Sequence, residues 1–353
     1  MENNIYTNKE LYSYHFDLAN TKRRLDDFEK IYNILKSHLE PKSKARIEEN
    51  KIKEYVDLYK EENKNFIKNV LHSINHIDFD KFCSDTWEQL DKFNNNVKDK
   101  KYIYILGVND QNGSSNVDYN IYKSNLWMFM LIWDKLKTKP IDILLNMKIA
   151  IQLYGDNVEY LIVDDCSYSG TQIVEQVLYT DASESMYKYP NSYLIKNDVY
   201  KKTMFKPVQN HNIKVHLFIP YLSYIAWSKL NELNLVTCFD IVRYEKYILN
   251  EFGAILSRQD SAKLYELYSN FYKNYNPLNL IPIFFDHKIA DGLSTVELIL
   301  TKGQVLDNPD LRFIFVEPCD KLYSNLTKDE LYAQLYCPIP PYHSFKKILE
   351  ENL

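Results

Sequence analysis

Tyr160-Leu161-Ile162-Val163-Asp164-Asp165-Cys166-Ser167-Tyr168-Ser169-Gly170-Thr171-Gln172 decides how this chain is read. Leu161, Ile162 and Val163 form a continuous apolar run, the pattern of a strand buried on both faces of a parallel sheet. Two adjacent carboxylates end the run, and a hydroxyl-rich turn follows. Ser169, Gly170 and Thr171 stand where a helix N-terminus would present free N–H groups to an anion. Carboxylates beside such a cradle suit a ligand carrying both a phosphate and neighbouring hydroxyls, as a phosphorylated ribose does. An ordinary strand-to-helix corner with an N-capping serine is the plain alternative.

Working outward, Tyr102-Ile103-Tyr104-Ile105-Leu106-Gly107 is a strand rich in β-branched and aromatic residues, and it exits into the polar loop 108–116. Apolar helices are expected at 121–137 and 141–154, separated by Pro140, before the quoted stretch. A helix opens at Gly170 and fades near Thr180, and 181–211 reads as a polar surface insertion. A third strand runs from Ile213 to Ile219, followed by a helix carrying Ile225, Trp227 and Leu230. Residues 236–242 are a candidate strand and 259–275 a helix. Asn279 to Phe285 is a fourth apolar strand, leaving into Asp286-His287-Lys288. This alternation predicts an α/β fold with an open, mostly parallel sheet flanked by helices. Ligands of such sheets bind at the carboxyl ends of strands, so the loops at 108–116, 164–172 and 286–295 are expected to converge on one crevice.

Ahead of this lie two charged segments with apolar positions at helical spacing, 8–38 and 43–73, divided by Pro41. They predict a helical hairpin over 1–75 appended to an α/β domain over 76–353. Its expected role is packing against that domain, with partner binding or homodimerisation as the alternative.

Composition bounds the rest. With 45% hydrophobic and 26% charged residues the 353-residue chain is that of an ordinary globular protein. A net charge of −5 argues against a nucleic-acid binder that works through its whole surface. The five cysteines are scattered without CxxC spacing, which disfavours a disulfide framework or a structural zinc site. The longest strongly apolar run, Leu126 to Trp133, is too short to cross a bilayer, and the N-terminal residues lack a secretory pattern. A cytoplasmic, reduced setting is expected.

The strand, acid pair and turn at 160–172 resemble the phosphoribosyl-diphosphate signature of type I phosphoribosyltransferases. The resemblance implies that Asp164 and Asp165 hold the ribose hydroxyls and act as the catalytic pair. It implies that Tyr168, Ser169, Gly170 and Thr171 hold the 5-phosphate, with Cys166, Ser167 and Gln172 as further substrate contacts, and that Mg²⁺ arrives with the diphosphate. Further ligand contacts are expected from Asn109 in the first loop and from Asp286, His287 and Lys288. Asp286 is the candidate for the metal. The implied reaction is attack of a nitrogenous nucleophile at the anomeric carbon with pyrophosphate leaving. Two departures qualify it. Gln172 stands where the family has Thr, and the loop after the first strand has no Arg or Lys until Lys123. A non-catalytic protein that binds a nucleotide or ribose phosphate, with its helical N-terminus on a protein partner, is therefore kept as the alternative. A structural role for the acid pair is the third reading.

Overall fold

The computed structural model describes residues 21–39, 53, 56, 57, 59–106, 124–144, 147–170, 173, 213–236, 239–268 and 276–285. Within them the chain forms α1 (Thr21–Leu35), α2 (Glu61–His72), β1 (Asn75–Ile77), α3 (Phe79–Asn96), β2 (Tyr102–Ile105), α4 (Ser124–Trp133), β3 (Asp142–Leu144), α5 (Met147–Tyr154) and β4 (Glu159–Val163). Then follow β5 (Cys166–Ser167), β6 (Ile213–Phe218), β7 (Tyr221–Ser223), α6 (Tyr224–Val236), β8 (Phe239–Arg243), β9 (Tyr247–Leu249), α7 (Phe252–Ile255), α8 (Arg258–Tyr268) and β10 (Ile283–Phe285). The chain divides into two compact units, one of 1–39, 85–248 and 343–353, the other of 40–84 and 249–342.

The first unit is built on a parallel five-stranded sheet in the order β3-β2-β4-β6-β8. β4 lies at its centre. Tyr160 pairs with Ile103 on one side and with Val215 on the other. One face carries Ile103, Ile105, Tyr160, Ile162, Val215 and Leu217, all at most 1% exposed. Met147, Ala150 and Ile151 of α5 and Ala226 and Leu230 of α6 cluster with them. Gly155, at φ +60°, ends α5 in the left-handed turn that glycine adopts without strain, its amide donating to Ile151 O at 2.9 Å.

The opposite face is aromatic. Phe93 of α3 meets the rings of Tyr102, His216, Phe218 and Tyr244 at centroid distances of 5.5, 5.6, 6.1 and 5.4 Å, each steeply inclined. Edge-to-face contacts of this kind add to area burial. Tyr104 stacks on Phe129 of α4 at 3.6 Å. α1 packs on the same helix, with Phe28 at 4.7 Å from Trp133 and 5.2 Å from Phe129. α1 thus belongs to the first unit, whereas α2 belongs to the second.

In the second unit β1 and β10 form a two-stranded parallel sheet, Asn75 with Ile283 through Ile77 with Phe285. Phe82 meets the Phe285 ring edge-on at 5.9 Å. α2 buries Phe66, Ile67, Val70 and Leu71, and it is tied to α8 by Asn69 donating to Asp260 at 3.3 Å and Lys263 to Glu62 O at 3.1 Å.

An α/β fold with a parallel sheet between helices is what the sequence predicts; three elements differ. The expected helix over 141–154 begins instead as strand β3. Pro140 blocks continuation from the preceding segment, and Asp142 satisfies its own end by accepting from Ile143 N at 2.8 Å and Tyr154 OH at 2.9 Å. The fourth predicted strand, β10, is not in the five-stranded sheet, because its partner is β1. Residues 166–167 extend as β5 rather than forming the start of a turn. Among the described residues no helix is long and apolar enough to cross a membrane.

One polar chain crosses the aromatic face. Asn96 donates to Tyr244 OH at 3.0 Å, Tyr244 OH contacts His216 Nδ1 at 2.9 Å, and His216 Nε2 contacts Glu159 at 2.7 Å. Each donor finds an acceptor when His216 is neutral with its proton on Nε2. A second ring proton would face a hydroxyl already accepting from Asn96. Burial accordingly holds His216 below its ordinary value of 6.5, outweighing the opposite pull of Glu159. The unfolded chain then binds the proton more readily, so the stability this group contributes is whole above pH 6.5 and declines as pH falls through that value. Urea unfolding at pH 7.5 and 5.5 is expected to show this decline. His216→Gln is expected to lose about 1–3 kcal/mol at pH 7.5 and to show a smaller drop between the two pH values than wild type.

Candidate functional site

The strand order fixes where a ligand site would lie. From β2 the chain places β3 on one side and β4 on the other, so the order reverses between β2 and β4. In open parallel sheets the crevice outside the carboxyl ends at such a reversal is the usual ligand site. Asp164 and Asp165 follow β4 directly at this point.

Both acids are deep. Asp164 is 6% exposed and Asp165 is fully buried. The amide of Asp164 still donates across the sheet, to Phe218 O at 3.1 Å. Asp164 Oδ1 accepts from Ser124 Oγ at 2.6 Å and from the Asp165 amide at 3.0 Å. Asp165 Oδ1 accepts from the Cys166 amide at 2.7 Å. Hydrogen bonds to an ionised carboxylate are short and strong, as the Ser124 contact is.

The first turn of α4 ties these acids to the end of β2. Asn125, 2% exposed, donates to Leu106 O and accepts from Leu126 N at 2.8 Å. Tyr104 OH donates to Asn125 O at 3.1 Å. Burial first, and then the Asp164 charge, push the Tyr104 hydroxyl well above its usual range, so it is a fixed neutral donor.

Beyond the acids the strand resumes. β5, β7 and β9 make a second sheet whose order repeats that of β4, β6 and β8. Cys166 pairs with Tyr221 and Ser167 with Leu222. The gap is bridged by Lys246 N donating to Pro220 O at 2.8 Å. Tyr221 OH donates to Asp85 of α3, which is 7% exposed. Burial, with the Cys166 and Asp165 side chains next in weight, raises the Tyr168 hydroxyl well above its ordinary range.

The turn itself is docked on α6. Ser223 caps that helix, its Oγ accepting from Ala226 N at 2.9 Å and donating to Tyr168 O. Gly170 has φ +69°, and a Cβ there would lie 2.9 Å from the Cα of Ala226. This glycine is therefore required by the close approach of turn to helix. Gly170 precedes the helical backbone, which is described at Ile173. Thr171, Gln172, Asn109, Asp286, His287 and Lys288 lie outside the described residues. β10 belongs to the two-stranded sheet with β1.

Sequence reasoning missed Ser124, Asn125, Tyr104 and Ser223. Ser124 carried a usable signal, a hydroxyl residue just before the apolar run 126–133, which marks a helix start. Ser223 stands likewise before α6. Among the described residues no three His, Cys, Asp or Glu side chains converge to hold a metal ion. No protein-family model, no curated protein and no solved structure matches the chain.

Gly170→Ala is expected to destabilise the protein by about 2–4 kcal/mol, from left-handed backbone strain and overpacking together. Adding Ala226→Gly is expected to leave most of this loss in place, because the clash is with the Cα of residue 226. Denaturant midpoints of the single and double variants measure both effects.

Proposed function

We propose that the carboxyl ends of β2 and β4 bind a ribose phosphate, in first place phosphoribosyl diphosphate, as a divergent phosphoribosyltransferase-like protein would. The observation that carries this reading is the placement of Asp164 and Asp165 directly after the central strand, where the strand order reverses. Two adjacent carboxylates at that place are suited to accept hydrogen bonds from neighbouring ribose hydroxyls. The amides of the turn from Tyr168 to Gly170 are the candidate contacts of the 5-phosphate.

In the transferase form of the reading, a nitrogen lone pair forms the new bond at the anomeric carbon while the bond to the diphosphate oxygen breaks. The diphosphate leaves with that electron pair. Positive charge develops on the ribosyl ring meanwhile, and nearby carboxylates favour it. Mg²⁺ belongs to the ligand here, since it prefers phosphate oxygens and few protein carboxylates.

A second reading, binding without transfer, is favoured by the loop after β2, which carries no basic residue from 108 to 122. A purely structural acid pair is favoured by the bonds each carboxylate already makes to the next amide in the chain. Calorimetric titration with phosphoribosyl diphosphate and Mg²⁺ separates the three. Wild type is expected to release heat of binding, and the folded variant Asp164→Asn/Asp165→Asn to lose it. Silence from wild type leaves the structural role. Binding without pyrophosphate release across a panel of nucleobases selects the non-transferring form.

A further inference from the structure

Asp164, the acid offered above to a ribose hydroxyl, already holds a hydroxyl from its own chain. Ser124 stands at the start of α4, and its Oγ lies 2.6 Å from Asp164 Oδ1. That is the bond, in donor type, acceptor type and length, that a sugar hydroxyl makes to a carboxylate. The contact is set among buried, hydrogen-bonded neighbours. The next residue, Asn125, is buried and tied to Leu106 O and, through its carbonyl, to Tyr104 OH. The next carboxylate, Asp165, is fully buried. A ligand hydroxyl reaching Asp164 Oδ1 therefore meets a position already filled, and the exchange replaces one O–H···O⁻ bond by another.

We propose that Ser124 is a built-in competitor for the ribose hydroxyl, an autoinhibitory contact that holds the acid pair in a closed state until a ligand displaces it. The proposal rests on the ribose-phosphate reading of this site. Its consequence is a handicap on affinity equal to one charge-assisted hydrogen bond, and the handicap falls only on ligands that carry the hydroxyl. A ligand that offers phosphate alone does not compete with Ser124.

The test compares wild type, Ser124→Ala and Ser124→Thr in titrations with ribose 5-phosphate and, separately, with inorganic phosphate. Thermal unfolding of each variant verifies that it is folded. Ser124→Ala is expected to bind ribose 5-phosphate about tenfold more tightly than wild type, which corresponds to about 1.4 kcal/mol. Ser124→Thr keeps the hydroxyl and is expected to match wild type, and inorganic phosphate is expected to bind all three alike. Equal affinity of wild type and Ser124→Ala for ribose 5-phosphate overturns the competitor while leaving the pocket intact. An equal gain for inorganic phosphate overturns it too, since the substitution would then have loosened the site generally. Binding of neither probe to any variant removes the ribose-phosphate reading, and this inference with it.

Discussion

A strand hydrogen-bonded on both edges and packed on both faces has no outlet for polar groups except at its two ends. β4 is that strand, paired with β2 over Glu159–Leu161 and with β6 over Tyr160–Val163. The residues from Tyr160 to Val163 are all at most 1% exposed. Its polar chemistry is accordingly pushed outward, to Glu159 at the start and Asp164-Asp165 at the finish. Each end then recruits its own partners. Glu159 faces His216 and Lys214, the latter at 3.6 Å, while Asp164 takes Ser124. Much of the first unit's polar architecture follows from keeping this one strand dry.

The two ends are handled differently. At the start, a neutral imidazole relays hydrogen bonds between a carboxylate and a tyrosine, and every described participant is satisfied. At the finish, two carboxyl groups follow one another in a buried place, bonded to the amides of Asp165 and Cys166 and to the Ser124 hydroxyl.

What the sequence revealed follows from the strength of local signals. β2, β4 and β6 are apolar, β-branched or aromatic runs, and such runs are readable because they are buried on both faces. β3 escaped because Asp142-Ile143-Leu144 is three residues long and continues into a helix of similar composition. β5 and β7 are shorter than any period can register, and they exist because pairing persists beyond the acids. The acid pair was legible as a strand end beside a turn. Its burial and the Ser124 contact were not, since both depend on a helix that begins far away in the chain. Gly170 reads in the sequence as part of a phosphate-binding turn, and the structure adds that a Cβ there would meet the α6 backbone. A glycine's need for space is visible in sequence; what fills the space is not.

A fully parallel sheet also sets the terms on which this chain tolerates change in length. Tyr160 of β4 pairs with Val215 of β6, and Val215 with Ile241 of β8. The first connection is roughly twice as long as the second. By chain statistics a doubling of loop length costs about 0.6 kcal/mol. The thermodynamic burden of the long connection is thus small beside the burial of a single core side chain. The burden falls on kinetics instead, because strands that pair over long separations must find each other before any contact rewards them. Substitutions within the β4–β6 ladder should therefore register in the rate of folding.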